Sequence, residues 1–357
     1  MNPIQTYLIK AAKPFKTFQC MIKSAELNLE VSHSSTHVNQ AFHSASVGKL
    51  FTAVLIFKAL EEGRCTLESK IDSMLEAKLL DKLFIFQGVD YRTEVTLKHL
   101  LSHTSGVNDY FESKTIDGSS FIDEVLKQPH HFYTPQELIH FTQTKQKAIA
   151  APGQKFHYSD TGYILLGLIC ESLYNTPLNT LIQEKIAIPC GLSDTYLCFY
   201  DDRFNAQDLA PLWMNKVEVS QFTSLSCDFS GGGLHTTASD LTKFLHALVD
   251  ETLISKTSLD RMTRFDHKFR NGLYYGLGCM MMQPKDFFFL LKGLPPMIGH
   301  LGVTGVHAWI EPQSKTSIVM NVGNNKDMGK SFQVLITILQ MMKSLEKKSK
   351  KIHPRMD

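Results

Sequence analysis

The sequence predicts an α/β protein of the α+β kind: an antiparallel sheet flanked by helices, built from both ends of the chain, with a mainly helical lobe inserted between them. Three observations carry the prediction. Runs with strand character sit near the start of the chain and return from Tyr274 onward, whereas the stretch 76–229 is dominated by helical periodicity and polar loops. The length of 357 residues also exceeds what one small domain needs. The expected division is 1–75 with 230–357 for the sheet lobe, and 76–229 for the helical lobe.

Taken in order, 20–31 partly alternates apolar and polar residues and reads as paired strand, and a strand run returns at 39–44 after a polar turn. From Ser46 to about Glu62, residues Val47, Leu50, Phe51, Val54, Leu55, Phe57 and Leu60 recur at helical spacing, and Gly63 supplies a stop. Helical patterns follow at 96–101, 134–147 and 161–173. Thr237 reads as an N-cap with an acidic residue, Asp240, at N3, which predicts a helix over 238–249. Beyond it, 274–282, 286–292, 300–310 and 316–322 are short β-type runs, and a helix over 330–345 closes the fold.

Composition narrows the function. Apolar residues, cysteine and the aromatics included, make up 43% and charged residues 20%, proportions that exclude a disordered, collagenous or coiled-coil chain. The 37 Lys and Arg against 35 Asp and Glu leave a net charge of +2, too balanced for a body built to neutralise phosphates, so no nucleic-acid partner is expected. The seven cysteines, Cys20, Cys65, Cys170, Cys190, Cys198, Cys227 and Cys279, are widely spaced with no C-x-x-C and read as reduced core thiols. Residues 1–23 carry four lysines but no apolar run long enough for a signal segment or a membrane span. A cytoplasmic location without a transmembrane segment is therefore expected. The basic tail, with Lys343, Lys347, Lys348, Lys350, Lys351 and Arg355, reads as a solvated helix end in preference to a tether for an anionic surface.

Three segments hold residue types suited to acyl transfer. Ser46-Val47-Gly48-Lys49 puts a hydroxyl at a helix start and an amine one turn later on the same face. The positive helix end and its unpaired N–H groups would stabilise an alkoxide and then an oxyanion, and a desolvated Lys49 would serve as base. The pattern alone is weak, since Ser344-Leu345-Glu346-Lys347 repeats it in the tail. Without context Ser46 reads first as an N-cap hydroxyl with Lys49 as a surface charge.

The second segment is Tyr158-Ser159-Asp160, preceded by Pro152-Gly153 and followed by the apolar helix from Thr161. A phenol bonded to a lysine can shuttle a proton between nucleophile and leaving group, with the nearby cation lowering its pKa. Asp160 also reads as the N-cap of the following helix with Tyr158 packed beneath it, and both readings can hold together. The third segment is Gly299-His300-Leu301-Gly302-Val303-Thr304-Gly305, which leads into an apolar strand. Glycines within a strand mark close approach of a ligand or another backbone. His300 would donate to a substrate carbonyl or carboxylate and the Val303 N–H would be a second oxyanion donor; the plainer reading is a kinked strand with a packed histidine. His99 and His103 stand at i and i+4, but no Glu-x-x-His and no third ligand accompanies them, so neither a metal nor another cofactor is expected.

In this order the three segments resemble the serine β-lactamase and penicillin-binding protein superfamily, specifically its class C-like branch of esterases, D-amino-acid peptidases and carboxypeptidases. Leu100-Leu101-Ser102-His103-Thr104-Ser105-Gly106, Ile188-Pro189-Cys190-Gly191-Leu192-Ser193-Asp194-Thr195 and the segment from Ser230-Gly231-Gly232-Gly233 to Leu241 are similar to recurring segments of that branch, so the resemblance spans nearly the whole chain. It implies a β-lactamase/transpeptidase-like fold, Ser46 as acylated nucleophile, Lys49 as its proton partner and Tyr158 as second base and acid. His300, Gly302 and Val303 would then lie on the oxyanion and substrate side, on the strand that holds K-T-G in β-lactamases. Lys315-Thr316-Ser317 matches K-T-G literally but follows the turn-like Glu311-Pro312-Gln313-Ser314 and is set aside. The resemblance gives His103 no chemical role.

Two departures bear on the substrate. His300 in place of lysine removes a permanent cation where β-lactams and peptidoglycan stems place their carboxylate, which favours esters and short amides. Asp160 stands where the family often has Asn; an anion there would hold the proton on Lys49 and shift the proton work to Tyr158, or would meet a substrate ammonium. The expected activity is two-step acyl transfer by a serine hydrolase on a small ester, amide or peptide. A D-alanyl-D-alanine carboxypeptidase or β-lactamase, a slow-acylating penicillin sensor and a non-catalytic scaffold are the alternatives.

Overall fold

The two ends of the chain meet in one sheet. The computed structural model describes residues 2–37 and 39–352, the side chains of 349–352 apart. Strands β1 (Gln19–Ser24) and β2 (Leu29–Ser34) join β3 (His267–Arg270), β4 (Leu273–Tyr275), β5 (Met280–Met282), β6 (Met297–Gly302), β7 (Val306–Glu311) and β8 (Thr316–Asn321). Neighbours run antiparallel in the spatial order β3-β4-β5-β6-β7-β8-β1-β2. The helices that bear on the sheet and the site are α1 (Pro3–Ala11), α2 (Lys49–Glu61), α3 (Asp160–Tyr174), α4 (Ala238–Val249) and α5 (Met328–Ile352).

Alternation along the strands feeds two cores. Trp309, Ile318 and Met320 join Ile4 and Leu8 of α1 and Leu335 of α5 on one face, while Ala308, Ile310 and Val319 join residues of α2, α3 and α4 on the other. With both faces covered, β6, β7 and β8 are buried at every position. Helix α2 lies inside the second core. Ten of its thirteen residues are buried, and Phe51 stacks on Phe244 of α4 with centroids 4.0 Å apart. A helix apolar on all sides is a core helix, and Lys49 at its first turn is carried inward with it. Among the described residues no helix is long and apolar enough to cross a membrane.

Some expectations are corrected. The run 20–31 is itself the hairpin β1–β2, while Phe42–His43 leaves the main sheet to pair with Leu234–Thr236, which also pairs with Tyr196–Leu197. The run 286–292, expected as a strand, is a helical turn at Pro284–Phe287 followed by a 3-10 turn at Phe289–Leu291; Pro284 is preset for a first helical position. Helix α1 escaped the sequence reading although its signal was present: Pro3 follows Asn2, whose side chain accepts from the Ile4 N–H at 2.8 Å. In the tail, Lys350, Lys351 and Arg355 have side chains outside the described residues.

Candidate active site

Ser46 lies on a 3-10 turn, Ala45–Gly48, that runs directly into α2 at Lys49. Ala45 holds φ +46°, in the left-handed region that costs a non-glycine residue about 1–3 kcal/mol. Within 41–50 only Ser46 keeps partial exposure. Its N–H stands in the first turn of the helix, where no intrahelical acceptor is available. Two glycines let neighbouring chain press against this bend. A Cβ at Gly302 would fall 2.9 Å from the Ala45 Cβ, and one at Gly232 would fall 2.5 Å from the Ala45 carbonyl oxygen.

Lys49 is fully buried. Its Nζ lies 3.2 Å from Ser46 Oγ and donates to the Gly231 carbonyl at 2.7 Å and to Asp160 Oδ1. The carboxylate and the carbonyl offset a desolvation that a lone ammonium could not bear. Asp160 can serve there because Ser159, and not Asp160, caps α3, its Oγ accepting from the Gly162 N–H at 3.3 Å. The Asp160 side chain is then closed on Lys49 with 10% of its surface exposed, which leaves it no room to meet a substrate ammonium. Behind it, Asp109 accepts from the N–H groups of Asp160 at 2.9 Å and Glu112 at 2.7 Å. Burial and the charge of Asp160 push the Asp109 carboxyl up to about 7. The same two causes, opposed by Lys49, bring Asp228 to about 7.

The Tyr158 and Ser46 side chains line one cavity, and the Tyr158 ring centroid lies 5.0 Å from Lys49 Nζ. Burial first, then the charge of Asp160, hold this phenol well above its ordinary value, with the Ser46 side chain opposing. The expectation of a cation-lowered phenol is thus reversed, because burial and the negative charge of Asp160 prevail. The loop that carries Tyr158 is built on His103. The His103 ring stacks 4.3 Å from that of Tyr158, its Nδ1 accepts from the Ser159 N–H at 3.0 Å, and its carbonyl accepts from the His157 N–H at 2.8 Å. Burial, with Lys49 second, holds the imidazole well below its ordinary value.

His300 has no exposed surface. Its Nε2 is 3.2 Å from the Tyr275 hydroxyl and its Nδ1 accepts from the Leu301 N–H at 2.9 Å. Burial and Lys49 push its pKa down to about 3, so it is a neutral imidazole packed behind Tyr158 and not the substrate-facing donor that the sequence suggested. The β6 residues that face the cleft are Leu301 and, just past the strand, Val303. They line a cavity of about 60 Å³ together with Ser46, Tyr158 and the exposed Glu112 and Arg270. A second, apolar pocket of about 20 Å³ shares Val303 with this cavity and is lined by Ala45, Val125, Val219 and Leu225, with His43, Asp228 and Thr304 as its polar residues.

Sequence reasoning missed Glu112, Arg270, Asp109 and Asp228, which stand in loops and at element ends outside the quoted segments. It singled out the segment from Ser230 to Leu241 without seeing what Gly231 does there, which is to offer its carbonyl to Lys49.

An antiparallel sheet between helical layers, with a serine on a helical turn beside a buried lysine, is the architecture of the serine β-lactamase type. The chain belongs to the β-lactamase family, whose profile matches residues 30–333, a family that comprises serine hydrolases. Penicillin-binding protein 4* of Bacillus subtilis (strain 168) is 26% identical over 236 residues, covering 62% of this chain and 47% of that protein. The chain spans about half the length of the curated relatives it matches. Among solved structures, the D-stereospecific amidohydrolase from Streptomyces sp. superposes with TM-score 0.77 at 21% identity, covering 92% of this chain and 96% of that one. The D-amino acid amidase from Ochrobactrum anthropi SV3 does so with TM-score 0.76 at 20% identity, covering 95% and 99%. At these identities the structural likeness is one of fold.

Proposed function

We propose that the chain hydrolyses small esters or short amides through an acyl-enzyme on Ser46. The observation that carries this reading is the 3.2 Å approach of Ser46 Oγ to a fully buried Lys49, with Tyr158 lining the same cavity as the serine. Ser46 Oγ attacks the carbonyl carbon. Tyr158, protonated at rest, takes the Ser46 proton as it passes its own to the leaving oxygen or nitrogen. Lys49, fixed by Asp160 and Gly231, stabilises the phenolate character that arises between the two transfers. Water then enters and the same relay runs in reverse to release the acid. The N–H groups of Ser46 and Val303 flank the position of the oxyanion. A placed proton-transfer group contributes ~10²–10⁴-fold and one oxyanion donor about 3 kcal/mol.

A neutral, buried His300 supports neutral substrates over carboxylate-bearing ones, and the 20 Å³ apolar pocket beside Val303 suits a small acyl group. Ser46→Ala is expected to keep the fold by circular dichroism and to lose both hydrolysis of p-nitrophenyl acetate and butyrate and labelling by a fluorophosphonate. Wild-type rates in that variant would refute the assignment. A wild-type chain that forms a lasting adduct without turnover would instead be a sensor.

One observation favours a second reading. Glu112 lines the cleft and offers a carboxylate to an ammonium, as an amino-acid amide would carry. Glu112→Gln should then raise KM for phenylalanine amide while leaving p-nitrophenyl acetate unaffected, and equal effects on both substrates would remove this reading.

A further inference from the structure

The connection between β5 and β6 carries more apolar side chains than the fold uses. Phe287 packs against Phe332 of α5 with ring centroids 5.6 Å apart, and Leu291 and Leu294 are buried in the core beneath α1 and α5. Between them Phe288, Phe289 and Leu290 turn outward, 51%, 68% and 67% exposed. Single exposed apolar residues are ordinary, but three consecutive bulky ones at the tip of a connection form a patch that water does not favour. The tip is pinned on both sides by Phe287 and by Leu291 and Leu294.

Its surroundings are basic. Lys285 and Lys292 flank the apolar run and are exposed. Lys343 of α5 donates to the Gly293 carbonyl, and exposed Lys347 follows it one turn later on the same helix face. The one acid within the run, Asp286, accepts from the Tyr274 hydroxyl at 2.7 Å. Glu26, Glu311 and Glu346 line a groove with Gly293, Pro295 and Lys315, and none of the three exposed apolar side chains lines it.

We propose that this tip is a peripheral docking site for an anionic lipid surface. Phe288, Phe289 and Leu290 enter the boundary between headgroups and acyl chains, and Lys285, Lys292, Lys343 and Lys347 face the lipid phosphates. A wedge of aromatic and aliphatic side chains ringed by lysines matches that surface in shape and charge, whereas a protein partner would have to supply both a groove and a ring of acids. The inference stands independently of the proposed chemistry at Ser46.

The experiment is co-sedimentation of the full chain with vesicles of phosphatidylcholine alone or mixed with phosphatidylglycerol. Wild type is expected to bind the anionic vesicles and to be released by high salt. Phe288→Ser/Phe289→Ser/Leu290→Ser and, separately, Lys285→Glu/Lys292→Glu should each weaken binding by roughly tenfold or more. Phe289→Ser alone, checked by thermal melting, guards against a misfolded triple variant and should weaken binding in the same direction. Wild type that stays in solution with anionic vesicles, or variants that bind as wild type does, would overturn the proposal. So would loss of a dimer in the triple variant without any vesicle binding by wild type, which would make the patch a protein interface.

Discussion

Asp160→Asn tests whether one buried carboxylate sets the pH at which the phenol works. The substitution keeps an oxygen for Lys49 Nζ and removes the negative charge. Lys49 Nζ, which Asp160 touches, lies 5.0 Å from the centre of the Tyr158 ring, so the carboxylate is no farther than about 7 Å from that centre, and at this limit unit charges in an effective dielectric of about 20 interact by about 2.4 kcal/mol, or about 1.7 pH units. Asp160 holds the Tyr158 phenol up; without it, and with Lys49 uncompensated, the phenol moves down. A relay that needs a protonated phenol then fails at lower pH. The alkaline fall in kcat/KM on p-nitrophenyl butyrate, with Ser46→Ala as background, should come roughly 1 to 2 pH units earlier. Asp109 and Asp228, both raised partly by Asp160, should titrate lower as well. The unpaired ammonium will cost up to about 3–5 kcal/mol of stability, which thermal melting reads separately. A folded variant whose alkaline limb stands where that of wild type does would refute the electrostatic account.

Three further outcomes are expected. Gly302→Ala places a Cβ 2.9 Å from the Ala45 Cβ and should displace the Ser46 turn, costing about 1–3 kcal/mol of stability and lowering kcat more than it raises KM; an unchanged kcat would show the turn to be indifferent to β6. Burial pushes His43 down to about 4 and His300 and His307 down to about 3. Because their folded values lie below the unfolded ones, the stability they lend is complete above about pH 6.5 and is lost as pH falls through the folded values; Asp109 and Asp228, raised to about 7, oppose them in this window, but three histidines outweigh two carboxyls, so Tm should fall between pH 6 and pH 4. A flat Tm over that range would contradict it. Leu225→Ala opens the small apolar pocket beside Val303 and should raise the ratio of octanoate to acetate ester hydrolysis; a constant ratio would place the acyl group elsewhere.

What the sequence disclosed depends on the range of each interaction. Ser46 and Lys49 are three residues apart, so their approach follows from helical spacing alone. The capping of α3 was misassigned to Asp160 because the choice between Ser159 and Asp160 is settled by Lys49, 111 positions away. Antiparallel sheet and core helices were legible from alternation and periodicity, as at 316–322 and 238–249. The run 286–292 was not, since its apolar residues satisfy strand propensity and only the tertiary structure shows that Leu291 is taken inward and Phe289 left outside. Glu112 and Arg270 enter the cleft from opposite parts of the chain, and no local signal marks a residue whose neighbours are assembled by folding.

The pairing of β1 with β8, Gln19 opposite Asn321, has a consequence for how the protein comes into being. The serine is synthesised early, but the strands that wall its cleft emerge from the ribosome hundreds of residues later, and contacts at such separation close late. A chain interrupted anywhere before β8 lacks the seam that joins its two ends, so the assembled cleft arrives only with nearly complete translation.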